Sequence, residues 1–454
     1  MKLTGRQTTS IMYLLYSILT LLAFMALSPY FVYQAIRYKK YTGSFRQRLG
    51  FLPLSFNFDG EASIWIHAVS VGEVLMARAL AADLKERYPR LRLFLSTTTI
   101  GGQQIARRNL QTVDGVFYFP FDWTFIVRRT LALVKPQLFI MMETEIWPNL
   151  LRACRRQGVK TIVINGRISQ RSYPRYRLIR PFFRRVLADV DRFCMQSEES
   201  ARRLISLGAD ARRVTVTGSL KFDSVERPGA RPGQARDRVL RFLRVSPGRT
   251  ILVAGSTMRG EETVVLRAFS TIKQTLPGAL CVLAPRQPER FGEVERLARE
   301  AGFVAIRRSE LPIDAEPRAD VVVLDTIGEL ARIYQLATAV FVGGSLVDLG
   351  GHNILEPAIF GKPIVFGPHM QNFREIADAF LANDAAVQVQ SERDFDEAII
   401  ALVTDPVRRA RLGAAARALV EANRGAKDKT LAIIAELLPL PGPSAIVRPF
   451  RLVQ

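Results

Sequence analysis

Beyond residue 60 the chain alternates short apolar runs with stretches in which apolar residues recur every three or four positions. "SIWIHAV", "LRLFLST", "GVFYFP", "QLFIMME", "KTIVING", "RFCMQS" and "RVTVTG" are rich in Ile, Val and Phe and polar mainly at their ends. That pattern predicts strands buried on both faces of a parallel sheet. Between them, Val74 to Tyr88 and Trp147 to Gln157 carry the helical period. At "VERPGARPGQARDR", residues 225 to 238, the periodicity gives way to Pro, Gly and Arg, the mark of a linker. Alternation then resumes with "TILVAGS", "LCVLAP", "FVAIRR", "DVVVLD", "AVFVGGS", "PIVFGP" and "AAVQVQ". The expectation is an α/β chain of two doubly wound, Rossmann-like domains, residues 41–228 and 239–424, joined by 229–238 and facing a cleft at their strand ends. A final helical stretch, roughly Ala414 to Leu437, is expected to fold back across both halves, so that 425–454 forms a C-terminal helix and tail.

The N-terminus breaks this rhythm. Residues 7 to 36 carry no charged side chain, and Ile11 to Ser28 is almost wholly apolar, close to the roughly 20 residues a spanning helix needs. Arg37, Lys39, Lys40, Arg46 and Arg48 follow, outnumbering Lys2 and Arg6, which keeps the rest of the chain on the cytoplasmic side. Residues 1–40 are therefore expected to be a membrane anchor with a basic flank. Ala26-Leu27-Ser28 has the look of a cleavage site, but the basic cluster beyond it opposes export. Tyr13, Tyr16, Tyr30 and Tyr33 equally suit a helix lying in the interface.

Charge points the same way. The balance of 64 basic against 42 acidic residues gives +22, an excess that calls for an anionic partner. An anionic membrane leaflet accounts for much of it without nucleic acid. Three scattered cysteines, Cys154, Cys194 and Cys281, fit free thiols, and the three histidines show no metal-ligand spacing. Asp189-Val190-Asp191 precedes a strand rather than ending one, so it reads as turn chemistry rather than a metal-binding pair.

Two stretches carry candidate chemistry. In "IHAVSVGEV" an apolar run ends in His67, then Ser70-Val71-Gly72 leads to Glu73. A carboxylate there is either a first-turn helix acid favoured by the dipole or a base held at a strand edge. In "FVGGSLVDLGGHNILEPAIFG" a strand ends in Gly343-Gly344-Ser345, and Asn353, with Glu356 three residues on, opens a short helix. Glycine-backed amides and a helix start can hold a phosphate, and the same Asn and Glu spacing is that of a capping box.

Taken in order, "HAVSVGE", "METEIWPN", "NGRIS", "GSLKFD", "AGST..GEE", "APRQPER" and "GGHNILEPA..GKPIVFGPHMQNF" resemble the 3-deoxy-D-manno-octulosonic acid (Kdo) transferases of lipopolysaccharide synthesis. The resemblance implies a GT-B fold at the cytoplasmic face of the cell inner membrane. It implies inverting transfer of Kdo from CMP-Kdo to lipid IVA without metal or other cofactor. It marks Glu73 as the base and Glu143 and Lys221 as transition-state stabilisers; spacing does not say whether Glu143 or Glu145 faces the cleft. Pro285, Arg286, Ile327, Gly328, Glu329, Asn353, Ile354, Leu355 and Glu356 are implied CMP contacts, with Gly72, Gly344, Ser345 and Lys362 as further ones. His67 is expected to be a satisfied histidine near a strand end. The arginine-rich run from Arg175 to Arg185 suits a membrane or acceptor-phosphate surface, or an ordinary solvated helix face. Rival readings are another GT-B sugar-nucleotide enzyme, a UDP-sugar transferase or an epimerase, and a basic non-enzymatic binder of membrane or nucleic acid.

Overall fold

A computed structural model describes residues 5–38, 42–109, 112–170, 172–225, 246, 248–311 and 316–439. The expected linker, 229–238, lies outside these. The chain divides into unit 1, Met1–Ser224 with Arg424–Gln454, and unit 2, Val225–Asn423.

Unit 1 is built on a parallel sheet of seven strands: β1 (Ser63–His67), β2 (Arg92–Thr97), β3 (Gly115–Tyr118), β4 (Pro136–Met142), β5 (Lys160–Gly166), β6 (Arg192–Met195) and β7 (Val214–Val216). Their order is β3-β2-β1-β4-β5-β6-β7. The strands are apolar throughout because both faces are buried. Trp65, Phe94 and Phe139 enter one core with Tyr13 of the N-terminal helix Gly5–Tyr38. Their neighbours Ile64, Ile66, Leu95 and Ile140 enter the other, which the helix Ala426–Leu437 closes with Leu431, Ile433 and Ile434. The order reverses between β1 and β4, and a crevice at such a switch point is where open α/β sheets place their ligands.

Unit 2 repeats the scheme with β8 (Ile251–Thr257), β9 (Leu280–Pro285), β10 (Ala305–Arg307), β11 (Val321–Val323), β12 (Ala339–Val342), β13 (Ile364–Phe366) and β14 (Val387–Gln388). Its order is β10-β11-β9-β8-β12-β13-β14, so the switch lies between β8 and β12, and β11 intervenes between β9 and the edge strand β10. All fourteen apolar runs are strands, and the doubly wound α/β class is confirmed. The three cysteines are buried and free.

The C-terminal helical stretch is two elements rather than one. The stretch Ala414–Leu437 is two helices, Pro406–Ala422 in unit 2 and Ala426–Leu437 in unit 1, broken at Gly425 with φ 97°. A glycine tolerates that left-handed turn without the Cβ clash other residues meet.

Candidate active site

At the switch point of unit 1, β1 ends at His67 and the helix Val71–Arg87 begins four residues later. Ser70 is its N-cap, so Glu73 falls in the first turn. Its carboxylate bends back over the turn: Oε2 accepts from the Val69 N–H at 2.8 Å and Oε1 from the Ser70 hydroxyl at 2.8 Å. From the other switch strand, β4, comes Glu143, held in left-handed backbone at φ 57° while its N–H donates to the Ile164 carbonyl. A non-glycine residue in that region costs of order 1 kcal/mol or more and is found where the surroundings impose it. Thr144 then ties the exits of β4 and β5, donating to the Arg167 carbonyl at 2.6 Å and accepting the Arg167 N–H at 2.9 Å.

These loops enclose a pocket of about 230 Å³ lined by Glu73, Glu143, Glu145, Arg167, Ser172 and Tyr176 among others. Both glutamates of "METEIWPN" thus share it with Glu73. Burial pushes the Glu73 carboxyl up to about 7, and the charges of Glu143 and Glu145 push the same way against its two hydrogen bonds. Burial and Glu143 likewise raise Glu145. A carboxylate near neutrality, paired with donors rather than with a cation, can take a proton.

Lys221 is not among the residues lining this pocket. It sits on the one-turn helix Leu220–Asp223, anchored by Asn165, whose Oδ1 accepts the Leu220 N–H at 3.0 Å. Asn165 is fully buried, in left-handed backbone at the end of β5, and its amide also touches Met76 Sδ on the Glu73 helix. A Cβ on Gly72 would come no nearer than 4.0 Å to anything, so that position demands no glycine on steric grounds. His67 is only half satisfied. Its Nδ1 lies 3.0 Å from the Ser96 hydroxyl and its ring stacks on Phe119, but Nε2 has no partner, and burial lowers its pKa to about 3. It is a neutral core histidine.

In unit 2 the glycine-rich loop after β12 has an internal tenant. Glu261, buried at the start of the helix Glu261–Thr275, accepts the N–H groups of Met258, Gly344, Ser345 and Leu346 at 2.8–3.0 Å. Ser345 also donates its hydroxyl to Val342 and receives the Gly367 N–H. The amides of Gly344 and Ser345, expected as phosphate donors, therefore hold a carboxylate of the chain itself. This corrects that expectation.

The remaining donor-side residues divide. Pro285 closes β9 and is buried, leaving the exposed Arg286 just beyond the strand; its charge acts on both His352 and Glu356. Asn353 accepts the Leu355 N–H and donates to Glu356 Oε1 at 3.2 Å. The helix that follows, Leu355–Ala358, is a single turn whose N-cap is Ile354 rather than the expected Asn353, and Glu356 accepts from the Asn353 side chain and not from its N–H as a full capping box would. Ile354 and Leu355 are wholly buried, so their side chains are core and only their backbone is available. Ile327 is 87% exposed and Gly328 has φ 90°, whereas Glu329 is engaged by Arg308 at 3.0 Å and by Thr326. Lys362 is half-buried, and burial lowers its pKa. Asp189 and Asp191 are structural, accepting from Tyr13 and from Thr161. Among the described residues no group of three or more His, Cys, Asp or Glu side chains is placed to hold a metal ion.

Residues 43–224 match the family model described as 3-deoxy-D-manno-octulosonic-acid transferase (kdotransferase). The chain is 34% identical over 404 residues to a 3-deoxy-D-manno-octulosonic acid transferase of Haemophilus influenzae, covering 86% of this chain and 91% of the relative. The chain belongs to the 3-deoxy-D-manno-octulosonic acid transferase family. It is accordingly a glycosyltransferase. A second member, from Bordetella pertussis, is 35% identical over 380 residues, 82% of this chain and 86% of its own. A UDP-GlcNAc 2-epimerase from Neisseria meningitidis matches at a TM-score of 0.55 and 12% identity over 83% of this chain and all of its own, which places the fold among GT-B-like enzymes.

Within this Kdo transferase, several site features had no assignment from sequence. Arg167 within "NGRIS" lines the Glu73 pocket and Glu261 within "AGST..GEE" holds the glycine loop. His352, with a buried Nε2 that lacks a partner, follows the glycine pair directly. The usable signal was position: each lies just past the end of a strand or beside a glycine loop.

Proposed function

We propose that this Kdo transferase moves Kdo from CMP-Kdo to lipid IVA at the cytoplasmic face of the inner membrane, with Glu73 as general base. The observation that carries the reading is the buried Glu73 carboxylate, raised to about 7 in a pocket it shares with Glu143, Glu145 and Arg167. Glu73 takes the proton of an acceptor hydroxyl while that oxygen attacks the anomeric carbon of Kdo. The bond from that carbon to the CMP phosphate oxygen breaks, CMP departs with the electron pair, and the configuration inverts. Glu143 bears on positive charge developing at the anomeric carbon, and Lys221 offsets negative charge. Arg286 suits the departing phosphate, since a guanidinium can form paired hydrogen bonds with it. Residues 327–329 and 353–356 would contact the cytidine, largely through backbone groups.

Membrane association is supported by Ile11–Tyr30, a stretch apolar and long enough for a span, with Leu14, Leu15, Leu19 and Leu22 exposed. Leu178 and Ile179, within the arginine-rich run, are exposed as well, and Phe182 of that run packs on Tyr13 and Tyr16. A lipid acceptor needs such a surface beside the pocket to which Tyr176 contributes.

The test is mass spectrometry of lipid IVA incubated with purified protein and CMP-Kdo. The product should gain one or more Kdo residues with matching release of CMP. Unchanged lipid IVA, or turnover of UDP-sugars in place of CMP-Kdo, overturns the reading. Glu73→Gln should lower the rate by roughly 10²–10⁴-fold. Because the ionised form is the base, the wild-type rate should rise with pH to a plateau above about 7.

A further inference from the structure

The N-terminal helix docks lengthwise on unit 1. The Tyr13 hydroxyl donates to Asp189 at 2.8 Å, Ser17 accepts from the Asn149 amide at 3.0 Å, Thr20 accepts from the Trp123 indole at 3.3 Å, and Phe24 packs on Phe121 and Trp123. Tyr16 adds a hydrogen bond to Asp122, the carboxylate that also accepts the Asn149 and Leu150 N–H groups. Tyr13 itself belongs to the core that holds Leu150 and Phe183. At 1.5 Å per residue, the docked stretch from Tyr13 to Phe24 is about 17 Å long. The opposite face exposes Ile11, Leu15, Ile18, Leu22 and Met25.

Crossing a bilayer conflicts with this docking. A hydrocarbon core about 30 Å thick would take in the whole of Ile11–Tyr30, and with it the docked stripe and its partners. Asp189 and Asn149 would then stand at membrane depth, where an ionised side chain near the centre costs about 2.5–3.5 kcal/mol. Undocking instead would pull Tyr13 out of the core and strip Asn149 and Trp123 of their partners on the helix. Unit 1 also exposes apolar side chains at both ends of the docked stretch. Leu178 and Ile179 stand near Phe182, which packs on Tyr13 and Tyr16, while Phe45 packs on Phe24 and Phe125 on Trp123. A helix across the membrane would hold these two groups at different depths, whereas one lying along its surface lets both enter the same leaflet. Charge agrees: Lys2 and Arg6 precede the helix, and a crossing would carry them to the side that basic residues avoid.

We propose that Ile11–Tyr30 does not cross the membrane but lies in the plane of one leaflet, one face bound to unit 1 and the other to the acyl chains of that leaflet. The chain ahead of it then stays on the same side as unit 1. Such a helix fixes how unit 1 meets the lipid instead of tethering it loosely. It also keeps the pocket to which Tyr176 contributes beside the membrane, since Tyr176 shares the short helix Tyr173–Leu178 with the exposed Leu178.

The inference rests on the membrane reading given above, and flotation of the full chain with vesicles of phosphatidylethanolamine and phosphatidylglycerol tests that reading by itself. Depth tests the inference. Ile11→Cys, Ile18→Cys and Met25→Cys, each exposed and seven residues apart on one face, are made singly and carry a nitroxide; the native cysteines are buried, and unsubstituted protein gives the background. Power saturation against oxygen and a water-soluble nickel chelate should place all three labels alike, about 5–10 Å into the leaflet. A crossing helix would place Ile18 near the midplane, about 15 Å down. Ile11 and Met25, each about 10 Å from Ile18 along the axis, would then lie nearer opposite surfaces. That second pattern overturns the proposal and leaves the membrane reading standing, whereas protein that fails to float overturns both. A cysteine on a short extension ahead of Met1 supplies an independent readout. In intact spheroplasts an impermeant maleimide should leave it unlabelled until the membrane is permeabilised, and labelling before that step overturns the proposal.

Discussion

A carboxylate that has to ionise inside a pocket destabilises the fold that holds it, and Glu73 shows how this one is managed. Two short hydrogen bonds, from the Val69 N–H and the Ser70 hydroxyl, act against burial and against two neighbouring acids, and burial wins. The folded pKa is raised from 4.5 to about 7. Below the unfolded value the group is protonated in both states and contributes nothing to the difference. Above about 7 it is ionised in both, and the folded state alone bears the cost, of order 3 kcal/mol at about 1.4 kcal/mol per unit. Glu73→Gln should therefore unfold at a higher denaturant concentration than wild type at pH 8, and at nearly the same concentration at pH 4. Equal midpoints at pH 8 would mean that the carboxyl is not strained. The sequence marked Glu73 as an acid after a strand, but its raised pKa was not legible there. That shift comes first from burial in the pocket, to which Glu143 and Glu145 add, brought alongside only by the pairing of β1 with β4. Glu143→Gln should accordingly move the acidic limb of the rate profile to lower pH, whatever it does to the maximum rate. A limb that stayed in place would remove Glu143 from the electrostatics of the base.

Elements were read more completely than single residues, because strands buried on both faces have few polar positions to confuse the pattern. What the pattern could not supply was how loops are closed. After β12 the chain turns sharply through Gly343 and Gly344, where a Cβ on Gly343 would lie 2.5 Å from the Ser256 carbonyl. Three amides of that turn, joined by the Met258 N–H just past β8, converge on Glu261. From sequence, glycine-backed amides suggested an anion from outside; the anion is the chain's own, delivered by the helix that follows β8. Glu261→Ala should leave the four N–H groups without their acceptor. Each buried donor left unpaired costs about 1–3 kcal/mol, so the loss should exceed about 3 kcal/mol even with water admitted. Denaturant unfolding checks the size, and hydrogen exchange at Gly344 to Leu346 checks the place. A variant as stable as wild type, with those amides still protected, would refute the account. Glu261→Gln, which keeps one acceptor oxygen, should fall between the two.

At the scale of the molecule, the chain leaves unit 1, forms unit 2 and comes back, and the returning segment is structural. Leu431, Ile433 and Ile434 of the helix Ala426–Leu437 are buried in the core on one face of the unit 1 sheet, beside Leu220 and Cys194. Asp223 holds the start of that helix through the N–H groups of Gly425 and Lys427, and the Tyr88 hydroxyl holds its end through the Leu438 carbonyl. Lys427 adds an ion pair with Asp83 at 2.7 Å. The same Asp223 closes the turn that carries Lys221, so the last helix also supports a candidate catalytic residue. Periodicity reads as one helical stretch from Ala414 to Leu437, since a single glycine within a helical pattern does not by itself announce a change of unit. Ending the chain after Asn423 would expose three large apolar side chains' worth of core. At about 1.5–3 kcal/mol each, that is about 5–9 kcal/mol, comparable with the whole stability of a domain. Hydrogen exchange on the shortened protein should show β5 and the helix Val71–Arg87 losing protection while β8, β9 and β12 keep theirs. Uniform loss across both units would mean that they unfold together, and unchanged protection in unit 1 would mean that the last helix only lies on its surface. Asp223→Ala, which removes the N-terminal hold but leaves the apolar contacts, should weaken protection at Gly425 and Lys427 first. It should also depress Kdo transfer more than it lowers stability, because the turn bearing Lys221 loses its tie before the core does.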